Sequence, residues 1–290
     1  MRVLITGANG FLGTELTELF ENDGHDVIKG TRENLDLLKR DQVRSFLERN
    51  PINIVVHTAI KGGRRNDKNK MKVYVENCLM FQNLLSNIEH YDVMFNFASG
   101  AEFDKTKDIN LVKESDFGKN KIPIDFYGAS KYNITQYIRT TADFGKIINL
   151  RIFNCFGKHE KEDRMIKSCL QKYINKEPMI IHKDRIMDFF YVEDLYKVLN
   201  YYIEEMLLSF DNDEPQELFQ DMNMSYNTKA NLTEITNFIN KLDSHNVPVI
   251  INEPGLDRNY TGHSGRLDSL KLQLDGMFKG IEKIYTEMVK

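Results

Sequence analysis

Three features of the sequence predict an α/β fold: a doubly wound parallel sheet with a smaller α/β lobe toward the C-terminus. Short apolar runs alternate with helical patterns of roughly 10–15 residues through about the first 160 positions, the signature of successive βαβ units. The first run breaks directly into Gly7, Gly10 and Gly13. Proline is scarce, 6 residues where average usage gives roughly 15, so few elements are interrupted.

The elements follow in order. Arg2 to Thr6 (RVLIT) reads as a strand buried on both faces. Phe11, Leu12, Leu16, Leu19 and Phe20 then recur at helical spacing, and His25-Asp26-Val27-Ile28 opens a second strand. A helix over Asp41 to Arg49, a strand over Ile52 to Val56, a long helix from about Lys70 to Glu89 and a strand over Val93 to Phe97 come next. A helix from about Asp125 to Phe144 and a strand over Ile147 to Ile152 complete the regular part. Beyond Gly157 the period weakens. Helices are expected over Arg164 to Lys176, Glu193 to Ser209, Leu232 to Leu242 and Lys279 to Met288, with short strands near Met179 to Ile181 and Val247 to Ile251. The acidic run Phe210 to Pro215 reads as a solvated loop.

Composition narrows the class further. In 290 residues, 41% apolar and 28% charged, there is enough to build a core and too much order for a disordered chain. The 39 Lys and Arg against 43 Asp and Glu give a net charge of −4, which argues against a nucleic-acid partner. No window approaches the ~18 consecutive apolar residues of a membrane span, and in the glycine-interrupted run MRVLITGANGFLG nothing indicates secretion, so none is expected. Cys78, Cys155 and Cys169 are odd in number and widely spaced, giving neither a disulfide framework nor a metal site. A cytoplasmic location is therefore expected.

Gly7-Ala8-Asn9-Gly10-Phe11-Leu12-Gly13 joins a strand to a helix, the context in which such glycines bind a dinucleotide. They let the backbone approach a pyrophosphate at a helix N-terminus and let helix and strand pack closely. This makes residues 1–160 a Rossmann-type domain, with a contribution from about 188–209, and leaves 161–290 as the substrate lobe. The second strand runs into Gly30-Thr31-Arg32 with no acid at its end. Arg32 there favours the 2′-phosphate of NADP(H), while Glu33 keeps NAD(H) possible. Asp36 and Leu37 follow closely enough to flank the adenine.

Tyr127-Gly128-Ala129-Ser130-Lys131 puts a phenol and an ammonium on one face of a helix. A tyrosine with its ordinary pKa of about 10 is a poor proton donor–acceptor at neutral pH, and a neighbouring cation favours its phenolate. Ser99 lies just beyond the fourth strand, at the kind of strand end where doubly wound sheets hold ligands.

Together TGANGFLG, FASGAEF, YGASK and LRIFNCFG, followed by DFFYVEDL and YTGHSGRL, resemble the extended short-chain dehydrogenase/reductases acting on nucleotide sugars. The pattern is closest to the GDP-L-fucose synthases and dTDP-4-dehydrorhamnose reductases. The resemblance implies that Ser99 binds the sugar oxygen, Tyr127 exchanges its proton, and Lys131 holds the nicotinamide ribose. It places Phe153 beside the nicotinamide, Thr58, Ala59 and Asn77 along ribose and pyrophosphate, and Ser99, Gly100, Ala101 and Asn154 against the sugar. Arg164, Arg185 and Arg258 are candidates for the diphosphate, a task that suits arginine.

Departures from the pattern shape the expected reaction. Ala101 stands where GDP-L-fucose synthases carry the cysteine used in C3/C5 epimerisation, and Arg164 falls near their histidine. Met187 replaces the usual arginine before Asp188-Phe189. The expectation is NADPH-dependent reduction of the 4-keto group of a nucleotide-linked 4-keto-6-deoxy sugar, without full epimerisation, by a homodimer joined through its two long helices. An NAD-retaining 4-epimerase or a 4,6-dehydratase is the alternative. A dehydratase normally carries an Asp-Glu pair after the catalytic hydroxyl, and here only Glu102 follows. A non-catalytic NAD(P)-binding subunit is a further alternative, opposed by the intact Tyr127/Lys131 pair. The run Lys61 to Lys72, with Arg64 and Arg65, is the most basic segment and could border an anionic substrate.

Overall fold

The computed structural model describes residues 1–63, 70–119, 121–141, 146–211 and 218–290. In chain order the elements are β1 (Arg2–Thr6), α1 (Phe11–Asn22), β2 (Asp26–Gly30), α2 (Arg40–Arg49), β3 (Ile54–His57), α3 (Met71–Leu85) and β4 (Val93–Ser99). Then come β5 (Ile109–Val112), α4 (Phe126–Thr140), β6 (Ile147–Ile152), β7 (Cys155–Phe156), α5 (Met165–Ile174), β8 (Met179–Asp184), β9 (Phe190–Tyr191) and α6 (Val192–Asp211). The chain closes with β10 (Asp221–Met224), α7 (Leu232–Ile239), β11 (Val249–Leu256), β12 (Tyr260–Gly262), α8 (Gly265–Ser269) and α9 (Gly276–Met288).

The chain divides into two compact units. The first comprises residues 1–105, 114–151 and 201–222. The six-stranded sheet has the order β10-β6-β4-β3-β1-β2, and β1 pairs in parallel with both β2 and β3, as does β3 with β4. The chain leaves β1 for β2 on one side and returns to β3 on the other, so the C-terminal end of β1 is a topological switch point, where open α/β sheets bind ligands. Val3, Leu4, Ile5, Val55 and Val56 are wholly buried, which is why these strands read as continuous apolar runs. Leu4, Val55 and Met94 meet Phe81 and Leu84 of α3 and Ile134 and Ile138 of α4 in one hydrophobic cluster.

The second unit comprises residues 106–113, 152–200 and 223–290, so 106–113 leaves the first 160 residues to join it. Its strands form the parallel pairs β8–β11, β5–β12 and β7–β9. Two buried carboxylates organise it. Asp188 accepts from Gly262 N at 2.7 Å, Ser225 Oγ at 2.6 Å and Lys229 Nζ at 2.6 Å. Asp194 accepts the backbone N–H of Asp275 at 2.9 Å and of Gly276 at 2.8 Å, which starts α9 at Gly276, three residues before the position predicted from periodicity.

Other differences from expectation have local causes. β5, β7, β9, β10 and β12 are short, and none carries a long apolar run. α3 ends at Leu85 rather than Glu89, and a 3₁₀ turn over Ile88–His90 follows. The first two residues of the predicted acidic loop, Phe210 and Asp211, continue α6; residues 212–215 lie outside the described residues, as do 142–144 at the predicted end of α4.

Candidate active site

The turn after β1 is shaped by backbone crowding. Gly7 has φ of +68°, and a Cβ there would come within 2.7 Å of Ala59 Cα. A Cβ on Gly13 would stand 2.3 Å from the Gly7 carbonyl oxygen. The N–H groups of Gly7 and Ala8 donate to Gly30 O at 2.8 and 3.3 Å, and Thr58 Oγ1 donates to Thr6 O at 2.6 Å, so the ends of β1, β2 and β3 are fastened together. Gly10 caps α1 with no side-chain hydrogen bond, which leaves first-turn N–H groups to an incoming anion. Asn9 is exposed, Phe11 and Leu12 half-buried. A turn whose glycines let backbone pack directly on backbone and that ends at an uncapped helix fits the pyrophosphate of NAD(P).

At the end of β2 a single side chain sets the turn. Asn34 Oδ1 accepts from Thr31 N at 2.7 Å and from Thr31 Oγ1 at 3.2 Å, and its Nδ2 donates to Lys29 O at 2.9 Å. Arg32 and Glu33 are both exposed on this turn. Asp36 is half-buried, and its carboxylate accepts from Leu38 N at 3.1 Å. Leu37 belongs to the hydrophobic core, and its carbonyl accepts from Asn83 Nδ2 at 2.7 Å.

The catalytic candidates come together where β4 ends and α4 begins. Asp125 caps α4 through Gly128 N at 2.9 Å, and Gly128 lies so near Ala101 that a Cβ would meet its carbonyl oxygen at 2.5 Å. One turn after Tyr127, the Lys131 ammonium donates to Phe97 O at 2.5 Å, two residues before Ser99. Burial pulls Lys131 down to about 8, against the pull of Glu102 and Cys78. Ser99 Oγ accepts from Ala101 N at 3.2 Å, which leaves its hydroxyl proton free to turn toward another acceptor. His57 shares a 2.9 Å hydrogen bond with Thr6 Oγ1, and burial, reinforced by Lys131, pulls it down to about 3.

Asn77 is buried, and its amide is engaged by the chain itself. Its Oδ1 accepts from Lys61 N at 2.8 Å, and its Nδ2 donates to Lys61 O at 3.1 Å and Ser130 Oγ at 3.0 Å. It therefore ties the loop after β3 to α4. Gly63 on that loop has φ of +91°, and a Cβ there would lie 2.9 Å from Tyr127 Cε2. Sequence reasoning missed Ser130 and Gly63; the double glycine after β3 was the available signal. The rest of the basic run, residues 64–69 with Arg64 and Arg65, lies outside the described residues.

The remaining candidates belong to the second unit. Phe153 is buried edge-on to Tyr260, with ring centroids 5.4 Å apart. Asn154 Nδ2 donates to Asp188 O at 2.9 Å, and Arg164 Nη2 reaches Asn154 Oδ1 at 3.5 Å while its Nε pairs with Glu160 at 3.2 Å. Arg185 Nη1 pairs with Asp257 at 3.3 Å, and its Nε is buried with no hydrogen-bond partner among the described residues. Arg258 donates to the carbonyl of Thr106.

Sequence reasoning also missed the setting of Glu102. Its carboxylate accepts from Ser99 N at 3.1 Å, Thr135 Oγ1 at 2.9 Å and Arg151 Nε at 3.0 Å. Glu102 and Arg151 are both buried, and Arg151 also pairs with Asp221 on β10 at 3.0 Å.

Known proteins share this architecture along the whole chain. GDP-6-deoxy-D-talose 4-dehydrogenase of Aggregatibacter actinomycetemcomitans is 25% identical over 96% of this chain and 97% of its own length. GDP-L-colitose synthase of Yersinia pseudotuberculosis is 26% identical over 70% and 72%. Among solved structures, a GDP-mannoheptose C4 reductase from Campylobacter jejuni with NADP bound superposes with a TM-score of 0.82 at 16% identity, covering 100% of this chain and 98% of that one. A dTDP-4-dehydrorhamnose reductase from Clostridium acetobutylicum gives 0.78 at 17% identity, over 100% and 99%. Residues 3–214 match the NAD dependent epimerase/dehydratase family, and the chain belongs to that family.

Proposed function

We propose that this protein is an NADPH-dependent reductase acting on the 4-keto group of a nucleotide-linked 4-keto-6-deoxy sugar. The observation that carries the reading is the Lys131–Phe97 bond, which draws the helix face bearing Tyr127 and Lys131 onto the strand end bearing Ser99. When bound, NADPH supplies the hydride. Ser99 donates a hydrogen bond to the sugar carbonyl oxygen, and Tyr127 delivers its proton there, leaving a C4 hydroxyl. Lys131 keeps a cation beside Tyr127 and the ribose. Arg32, exposed on a turn with no acid at the strand end, supports the 2′-phosphate of NADP over NAD. In the second unit, the unused Arg185 Nε is a donor for the substrate diphosphate, with Arg164 and Arg258 as further candidates.

The relatives support chemistry at C4, since the talose enzyme is named as a 4-dehydrogenase and the heptose enzyme as a C4 reductase. Two features oppose the alternatives. Glu102 faces three donors within the protein, so a dehydratase lacks its free acid–base carboxylate. Ala101 has no proton to exchange, so full C3/C5 epimerisation lacks an acid–base group at this position. The homodimer belongs to the same proposal, supported by exposed Met71 and Val75 on α3 and Tyr137 on α4. A monomer at micromolar concentration in light scattering contradicts it.

Tyr127→Phe tests the chemistry. Turnover falls at least about 100-fold, the scale of a lost general acid, while NADPH binding measured by fluorescence stays within about twofold. Near-normal turnover in the variant refutes the assignment.

A further inference from the structure

We propose that Glu102 is a positioning residue for the proton-transfer pair, holding Ser99 and helix α4 in register through one carboxylate oxygen while the other neutralises Arg151. The inference rests on the reading of Ser99 and Tyr127 given above and deepens it.

Ser99-Gly100-Ala101-Glu102 has the spacing of a capping box, and both reciprocal bonds are made around a 3₁₀ turn of only three residues. Such a glutamate ordinarily sits at the surface. Here it is buried, where a carboxylate is costly unless fully paired. Its two oxygens divide the work. Oε1 accepts from Ser99 N and from Thr135 Oγ1, and Thr135 lies one helical turn beyond Lys131 and two beyond Tyr127. Oε2 accepts from Arg151 Nε. Arg151 in turn meets Asp221, which also binds Arg139 of α4 and accepts from Asn149 Nδ2 at 3.2 Å, so the frame closes on α4 at a second point. All these groups belong to the first unit. A change at Oε1 therefore acts directly between the strand end that bears Ser99 and the helix that bears Tyr127, whereas a change at Oε2 acts through Arg151.

That division dictates the experiment. Removing one partner of a buried ion pair costs far more than removing both, so both test variants also carry Arg151→Met. Glu102→Gln/Arg151→Met keeps the Oε1 acceptor; Glu102→Leu/Arg151→Met removes it. In full-length protein, kcat is measured by NADPH oxidation with GDP-linked 4-keto-6-deoxymannose and its dTDP- and UDP-linked 4-keto counterparts. The Leu double is expected to lose about 10- to 100-fold in kcat relative to the Gln double, the scale of a misplaced reacting group, with NADPH affinity within about twofold. Amide exchange over residues 98–103, which needs no substrate, is expected to be at least about tenfold faster in the Leu double. Equal kcat, or equal exchange, in the two doubles overturns the proposal. Should the Leu double not fold, Thr135→Val, which removes the helix-side donor together with the acceptor that Asn149 Nδ2 uses at 3.1 Å, is expected to lower kcat about 3- to 10-fold at unchanged NADPH affinity; an unchanged kcat overturns the proposal. Turnover persisting in Ser99→Ala or Tyr127→Phe instead refutes the functional reading, and the exchange comparison still decides the role of Glu102.

Discussion

Single residues near the catalytic candidates are held in states that titration and substitution can read. His57 is neutral in the fold, pulled down to about 3 from the ordinary 6.5. The unfolded chain takes up a proton below 6.5 that the folded chain refuses, so this residue's contribution is full above that pH and falls as pH drops toward 3. At pH 5 the protein should be about 2 kcal/mol less stable than at pH 7 on account of His57 alone. Denaturant unfolding of wild type and His57→Asn at the two pH values checks this; an equal pH dependence in both contradicts it. Lys131 supplies a second handle. Its ammonium is lost above about 8, so kcat/KM should fall through that pH, and Lys131→Arg, which keeps its charge, should move the fall upward whatever its absolute rate. Gly63 offers a steric test. Ala at Gly63 meets the Tyr127 ring and should lower kcat roughly tenfold or more, whereas Ala at Gly24, which shares a positive φ of +81° with open space around it, should cost stability alone.

At the scale of elements, the strands and helices most visible in the sequence are those whose burial is uniform. β1 and β3 are buried on both faces by apolar side chains, and the glycine turn is dictated by what a Cβ would strike. Gly13→Ala should therefore push α1 from β1 and weaken NADPH binding by roughly 10- to 100-fold, the affinity equivalent of about 1–3 kcal/mol of overpacking; titration of NADPH fluorescence measures it. β10 shows what periodicity cannot see. Asp221-Met222-Asn223-Met224 is buried throughout, yet two of its four side chains are polar. Asp221 is matched by Arg139 and Arg151, and Asn223 donates to Val112 O at 2.9 Å. Those partners lie 70 to 111 residues away in sequence, so nothing local announces a strand. Glu102 was hidden likewise. It stood in the sequence as a lone acid beside Ser99, and only the packing of β6 and α4 around it reveals its three donors. Tyr127, Lys131 and Ser99 were legible because their spacing alone puts them on a helix face and at a strand end, whereas Asn77, which meets Ser130, and Gly63, which meets the Tyr127 ring, are brought to α4 by the fold.

For the molecule as a whole, a net charge of −4 is compatible with an anionic ligand because the function proposed above relies on local donors, such as the uncapped start of α1 and Arg32 for the cofactor, and not on the sign of the whole. Among the described residues no helix is long and apolar enough to cross a membrane. Membership of the NAD dependent epimerase/dehydratase family spans residues 3–214, and members on one fold differ in where the hydride ends. A reductase leaves it on the product; an epimerase returns it. The direct test is to mix purified protein with NADPH and GDP-, dTDP- or UDP-linked 4-keto-6-deoxy sugars, following nicotinamide absorbance and product. The account predicts that one of them consumes NADPH mole for mole and gains a C4 hydroxyl. Protein that arrives with NAD tightly bound, inverts a sugar at C4 and consumes no added NADPH contradicts it.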